Sequence, residues 1–429
     1  MIKEEAMRSV RMSLLALTAV AALVAFGNVY AFHSGGVAEC GGCHSMHSPD
    51  PAGSHLLIGP DTSSTCLSCH QQSGLTSPSS YHVSTADADM PVGTAPRQRT
   101  PGGDFGWLKK TYTFTVRSAV TTEAGQTHGH NIIASGTGFG YTVDTDNATS
   151  PGGTFAAANL GCASCHNPHG KYRRLPDGSI APTGAAIIGS GSYNNSVDPA
   201  AGQAVGVYRL LNGNGYTTGG VTFLGNPSGV APSTYNQSEA TNMVRTAYGT
   251  IDGIGNAGHE NWGVWCATCH GDMHSTGNYV HPVDTQLLGN ADIYNSYVKS
   301  GDLTGTSANS YNSLVPFAKG SSVTTYAGLR TISSNTNAVL NGPVGGDHVT
   351  CLSCHRAHAS GFPEMLRWNM EGEFMTYNGQ YPGTDTTPTV PQFSRGRLGA
   401  EMLAAYYDQP ATKWATYQRV LCNKCHAQD

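Results

Sequence analysis

The chain has 429 residues, with 23 Lys and Arg against 28 Asp and Glu, a formal net charge of −5, and only 12% charged residues, about half the usual share. Its 54 Gly and 22 Pro supply turn chemistry too densely for a conventional aliphatic core to close. This balance argues against a nucleic-acid binder and favours basic docking partners or metal cations.

In chain order, Lys3, Arg8 and Arg11 precede an apolar run from Met12 to Phe26 and the small-residue site Val29-Tyr30-Ala31. These are the three parts of a secretory signal peptide, and the run is too short for the roughly 20 residues of a membrane span. The expected organisation is therefore a leader over residues 1–31 and one module over 32–429 that begins at Phe32 and is exported. The leader removes three basic and two acidic residues, leaving 20 against 26 and a formal charge of minus six.

Six Cys-x-x-Cys-His motifs follow: Cys40/Cys43/His44, Cys66/Cys69/His70, Cys162/Cys165/His166, Cys266/Cys269/His270, Cys351/Cys354/His355 and Cys422/Cys425/His426. They use all twelve cysteines. Disulfides or zinc would explain paired cysteines, but neither needs a His after every pair. Covalent haem does: two thiols three positions apart each bond a vinyl group of one porphyrin, and the adjacent imidazole becomes the proximal iron ligand. Six haem c groups are expected, and their twelve propionates carry the formal charge to about minus twelve oxidised and minus eighteen reduced.

Successive motif histidines are 26, 96, 104, 85 and 71 residues apart, so no fixed-period repeat is expected and the motifs should recur without a recurring fold unit. Lys110 to Val116 alternates Tyr112, Phe114 and Val116 and predicts a strand. Asn290 to Lys299, closed by Gly301, and Arg397 to Tyr407 predict short helices. A last helix is predicted from near Pro410, presenting Trp414, Tyr417 and Leu421 for packing against porphyrin. The expected fold class is a multihaem c-type cytochrome, mostly irregular with short α-helices and little β, wrapped around its haems.

The sixth coordination position decides between electron transfer and catalysis. Twelve histidines lie outside the motifs: His33, His47, His55, His82, His128, His130, His169, His259, His274, His281, His348 and His358. His47, His169 and His358 each follow a motif histidine by three residues. A side chain so close to one porphyrin cannot swing to its far face, so each should reach a neighbouring iron. His82, His130 and His281 sit in loop-forming linkers that can project a ring onto iron, and His274 and His33 stand in reserve. Two imidazoles per iron leave no site for a substrate and favour low potentials, and none of the eleven Met is needed as a ligand. Arg173 and Arg174, near the third motif, pair with propionates or form a solvated basic turn.

The segments FHSGGVAEC (32–40), TPGGDFGW (100–107), NPHGKYRR (167–174), APSTYNQ (231–237), SGDLTGT (300–306), CLSCHRAHASGF (351–362) and YQRVLCNKCHAQD (417–429) resemble the extracellular hexahaem outer-surface cytochromes of the OmcS type in metal-reducing bacteria, as do the number and order of motifs. The resemblance implies a loop-rich wrapper around a continuous chain of haems, stacked in alternating parallel and perpendicular pairs. It also implies that His47 completes the fifth haem (Cys351, Cys354, His355) of a neighbouring protomer. A heterologous contact of that kind does not close and gives a conductive filament that passes electrons to metal oxides, other cells or electrodes. The segment Ser48 to Ser64 is shorter than the family pattern and carries His55, and His128, His259 and His348 lack counterparts, which ranks these four low as ligands. A monomeric periplasmic or surface shuttle is the structural alternative. A multihaem reductase is the enzymatic one; it would need an open iron, often marked by Lys in place of a motif His, and all six motifs keep His.

Overall fold

The computed structural model describes residues 40–72, 80–250, 262–274, 281–320, 323 and 325–426. The expected leader, His33 and His259 lie outside the described residues. Irregular chain dominates. The longest described helix is Thr62–His70, with nine residues, started by Asp61, whose carboxylate accepts from the Ser64 N–H at 2.6 Å. The motif helices Cys40–Cys43, Cys162–Cys165 and Cys351–Cys354 are single turns, the shortest helix that brings two thiols three residues apart onto one side.

The predicted strand forms as Tyr112–Val116 and pairs with Ala119–Glu123. Arg117 and Ser118 join them with φ of 49° and 68°, the left-handed pair that matches strand twist in a two-residue hairpin. The other described sheets are small: two of two strands, 71–72 with 84–85 and 217–218 with 221–222, one of four strands in the order 180–181, 173–174, 203–206, 186–187, and one of three in the order 228–230, 247–249, 318–319. The largest core cluster is aromatic, with Trp107, Tyr112, Tyr294, Trp368, Tyr406 and Trp414 among its members. Leu287, Leu314, Val315, Leu366, Met402 and Leu421 pack among these rings, so stacking and edge contacts share the core with aliphatic side chains.

Asn290–Ser296 and Gly399–Ala405 are helical, each shorter than the sequence pattern suggests. The helix expected from Pro410 does not form. Only a turn at Ala411–Lys413 is present, Trp414 is extended, and the chain pairs at Arg419 with Phe374. The cause is Gln418: its buried amide donates to Tyr297 Oη at 2.7 Å while its backbone carbonyl accepts from the Met375 N–H at 2.7 Å. Trp414 and Leu421 are buried, but Tyr417 is exposed.

A fold unit does recur, against the expectation of motifs without one. After the first, third and fifth motifs, a returning segment bridges the motif histidine: His44 with Leu57, His166 with Leu211, His355 with Leu366. The N–H after each histidine donates to the residue before that bridge: Ser45 to Leu56 (2.8 Å), Asn167 to Leu210 (2.7 Å), Arg356 to Met365 (2.8 Å). The second motif cysteine then accepts from the residue after it: Ile58 to Cys43 (3.0 Å), Asn212 to Cys165 (2.9 Å), Arg367 to Cys354 (2.8 Å). In all three, two consecutive residues hold positive φ: His55 and Leu56, Arg209 and Leu210, Glu364 and Met365. Non-glycine residues rarely adopt this conformation, and its threefold use sets the direction of a carbonyl, described next.

Candidate haem-iron sites

Each left-handed pair aims its first carbonyl at a motif imidazole. His44 Nδ1 donates to His55 O at 2.8 Å, His166 Nδ1 to Arg209 O at 2.6 Å and His355 Nδ1 to Glu364 O at 2.6 Å. Elsewhere His70 Nδ1 donates to Tyr81 O and His270 Nδ1 to Pro151 O, both at 2.8 Å, and His130 Nδ1 to Ala357 O at 2.7 Å. A proton fixed on Nδ1 leaves the Nε2 lone pair for a metal and raises its basicity. Sequence reasoning did not find these carbonyls; the signal available was the apolar pair Leu56-Leu57, Leu210-Leu211 and Met365-Leu366 following each odd motif.

The imidazoles then meet in pairs. Ring centroids lie 6.3 Å apart for His44 and His169, 6.3 Å for His166 and His358, 6.1 Å for His270 and His130, and 6.2 Å for His426 and His281. Two imidazoles ligating one metal from opposite faces, each through a nitrogen about 2 Å away, hold their centres about 6 Å apart. With paired thiols one turn away, these residues fit haem c iron. Burial pushes His130 down to about 4 and His358 down to about 3, which keeps both rings neutral, as ligation requires.

His70 and His82 are linked through Tyr81, whose ring lies 5.5 Å from His70 and 4.8 Å from His82. Burial, then the neighbouring His70, push the His82 imidazole down. His47 is exposed. Among the described residues no second imidazole faces His355 at the separation of the four pairs. The reserve His274 turns to Asp284 at 3.2 Å. His128 spends both ring nitrogens, on Trp107 O at 3.0 Å and Glu123 at 2.7 Å.

The His358 loop is clamped by glycines. Gly103, at φ +92°, lies against the Ala359 carbonyl, and a Cβ at Gly102 would sit 3.0 Å from His358 Nδ1. Arg174 is buried, stacks 4.4 Å over Tyr326 and donates to Gly178 O at 2.8 Å, and Arg173 donates to Ala185 O at 2.7 Å. The solvated basic turn is thereby corrected: both arginines lie in a paired strand.

The thiols of consecutive motifs neighbour one another in chain order. Cys43 is within electrostatic reach of Cys69, Cys66 of Cys162, and Cys266 of Cys351. Cys165 is likewise within electrostatic reach of Cys269, and Cys354 of Cys425. Six attachment points thus form one uninterrupted series.

No helix among the described residues is long and apolar enough to cross a membrane, and no protein-family model matches the chain. The sequence is 49% identical over 440 aligned positions to the C-type cytochrome OmcS of Geobacter sulfurreducens, covering 97% of this chain and 98% of the relative. Two solved structures, of OmcS nanowires and of the Outer Membrane Cytochrome S filament from the same organism, each superpose with a TM-score of 0.82 at 48% identity, covering 93% of this chain and 100% of theirs. Given the six attachment motifs and likeness along nearly its whole length, the chain belongs to the OmcS family of c-type cytochromes.

Proposed function

We propose that this chain is an exported hexahaem c-type cytochrome that polymerises head to tail and conducts electrons from haem to haem to extracellular acceptors. The cysteine pairs tether six haems, and His44, His70, His166, His270, His355 and His426 are proximal ligands. Distal ligands are His169 to the first iron, His82 to the second, His358 to the third, His130 to the fourth and His281 to the sixth. When bound, the six haems supply one-electron carriers, and two imidazoles per iron leave no coordination site for a substrate. The chain's own residues fix the imidazole protons on Nδ1, hold four pairs of rings with centroids 6.1 to 6.3 Å apart and order the attachment points in one series.

One observation carries the polymer. His169 of the third unit faces His44 of the first, and His358 of the fifth faces His166 of the third. Each odd unit is capped by the histidine that ends the next odd motif. Two members are left over among the described residues: His355 faces no second imidazole at that separation, and the equivalent His47 is exposed. His47 of a neighbouring protomer completes the fifth iron, a heterologous contact that propagates without closing. The two similar structures, of OmcS nanowires and of an Outer Membrane Cytochrome S filament, support this reading. His47→Ala is expected to abolish filaments and leave one of six haems high-spin while all six stay covalently bound. Normal polymerisation of that variant would sink the trans-ligand assignment.

A further inference from the structure

The three odd units share one backbone but not one set of charges. Three positions correspond: the residue after the motif histidine is Ser45, Asn167 or Arg356; the carbonyl that receives its Nδ1 proton belongs to His55, Arg209 or Glu364; and the residue after the bridging Leu is Ile58, Asn212 or Arg367. The first unit carries no permanent charge at these positions, the third carries one cation, and the fifth carries two cations and an exposed carboxylate.

The cations are set in the protein rather than in solvent. Arg356 and Arg367 are each 2% exposed. Arg367 Nε donates to the carbonyls of Leu352 at 2.8 Å and His355 at 3.0 Å, which seats its charge against the fifth motif. Arg356, next in sequence to His355, stacks 3.5 Å over Tyr407. Neither makes an ion pair among the described residues, and Arg356 Nε and Arg367 Nη2 have no hydrogen-bond partner there. They line one small cavity with Arg99 and Glu239. Arg99 is neutralised by Asp408 at 3.1 Å, while Glu239 is engaged by Ser313 and Gln409, so the group keeps an excess of one positive charge. Arg209 donates to Tyr193 Oη at 2.9 Å and stacks 4.2 Å over Tyr235, with Nη2 unpartnered. A guanidinium remains charged when buried, and charge in a low-dielectric interior acts far more strongly than charge in water.

We propose that these equivalent positions set the reduction potentials of the odd-numbered haems: Arg209 raises the third, Arg356 and Arg367 raise the fifth, Glu364 moderates the fifth, and the first is left lowest of the three. This rests on the ligand assignment above. Adding an electron lowers the charge of the iron centre by one, so a buried cation within electrostatic reach of an iron-facing imidazole, as Arg367 is of His355 and Arg209 is of His358 and also of His70 in the second unit, favours the reduced form. The chain thereby builds an order of potentials into a repeated scaffold by changing three side chains.

Spectroelectrochemical titration of the polymerised, fully loaded protein tests this, with the fifth haem's step identified as the low-spin step that is missing when the same titration is run on the unpolymerised, fully loaded His47→Ala protein. Arg356→Gln and Arg367→Gln are expected to shift that step downward, and Arg356→Lys to hold it near the parent value. Arg209→Gln should lower a different step. Glu364→Gln, at an exposed site that opens no core, should shift the fifth step upward and keeps the test alive if a buried variant fails to fold. Unmoved midpoints in Arg209→Gln and Glu364→Gln, or an Arg356→Lys step that falls as far as that of Arg356→Gln, would overturn the inference. Six low-spin haems with unmoved midpoints would leave the ligand assignment standing; a parent filament lacking six low-spin haems would remove the ligand assignment itself.

Discussion

The first and fifth units hold an imidazole with the same backbone in opposite surroundings. Cys40–Cys43 buries none of its residues, and Met46, Leu56 and Ile58 around it are exposed. Cys351–Cys354 buries Leu352 and Ser353, and its returning segment runs through Leu366 and Trp368 into the largest aromatic cluster. The difference separates two jobs that a haem site usually merges. The hydrogen-bonded return, with its left-handed pair, orients the ligand in both units, whereas among the described residues protein burial is supplied to the fifth far more than to the first. On the proposed function, porphyrin and a neighbouring protomer contribute burial to the first unit.

The sharpest way to break this contrast is to withhold porphyrin from each unit in turn. Cys40→Ala with Cys43→Ala should remove one haem by mass and abolish hydrogen-exchange protection throughout residues 40–58. Cys351→Ala with Cys354→Ala should also remove one haem, yet leave protection from Leu352 to Trp368 largely intact. Equal loss in the two variants would mean that the aromatic core does not hold the fifth unit by itself.

The protein side of the contrast has its own keystone. Arg397, fully buried, donates to Gly361 O at 2.9 Å and pairs with Glu123, which also binds Arg395 at 3.1 Å and His128 at 2.7 Å. Hairpin and fifth unit are thus joined through one carboxylate. Arg397→Ala should cost about 3–5 kcal/mol, the usual effect of removing one partner from a buried pair, read as a fall in Tm. Burial opposes ionisation of Glu123, but the hydrogen bond from His128 and the Arg397 guanidinium outweigh it and hold the carboxyl down to about 2. A lowered carboxyl pKa gives stability that is present above the unfolded value near 4.5 and is lost as pH falls towards the folded one. Acid unfolding between about pH 4.5 and 2 should therefore flatten in Glu123→Gln.

A smaller effect is expected at Gly103, where φ is +92° and an added Cβ would press on the Ala359 carbonyl. Gly103→Ala should cost about 2 kcal/mol and weaken the low-spin signature of the haem faced by His358, because the strained residue abuts that loop.

Much of this was legible in the residues, and the failures have physical causes. Alternation over Lys110 to Val116 gave away the hairpin strand, and the three-residue spacing of His169 and His358 from their motifs sends them to other units, where they lie opposite His44 and His166. The recurring unit was hidden because the returning Leu lies 13, 45 and 11 residues beyond its histidine, so chain insertions erase any period while the hydrogen bonds persist. The expected C-terminal helix failed because apolar spacing at Trp414, Tyr417 and Leu421 carries no information about Gln418, whose polar amide captures the segment in extended form. The charges on the odd units were legible as letters only; their equivalence appears once the three returns are superposed.

The gentlest probe of the contrast lies at the second motif, which has the longest described helix, its first turn buried through Ser63, Ser64 and Thr65 rather than through apolar side chains. Asp61 caps it, accepting from Ser64 N–H at 2.6 Å and, across the chain, from Ser135 N–H at 2.8 Å. Burial works against its ionisation, but these backbone donors and the two serine hydroxyls prevail and hold its carboxyl below the usual range. Loss of an N-cap costs about 1 kcal/mol, so Asp61→Ala should lower Tm by a few degrees at most while Asp61→Asn retains most of the cap. The parent's advantage over Asp61→Ala should be full above the ordinary carboxylate pKa and shrink as pH falls below it, because the folded state binds the proton less readily than the unfolded chain. If the second unit is held by its porphyrin in the way the first is, hydrogen exchange in Thr62–His70 should change little in Asp61→Ala as long as the haem remains attached. A helix that frays despite its haem would place the second unit with the fifth, among those that depend on their own polypeptide.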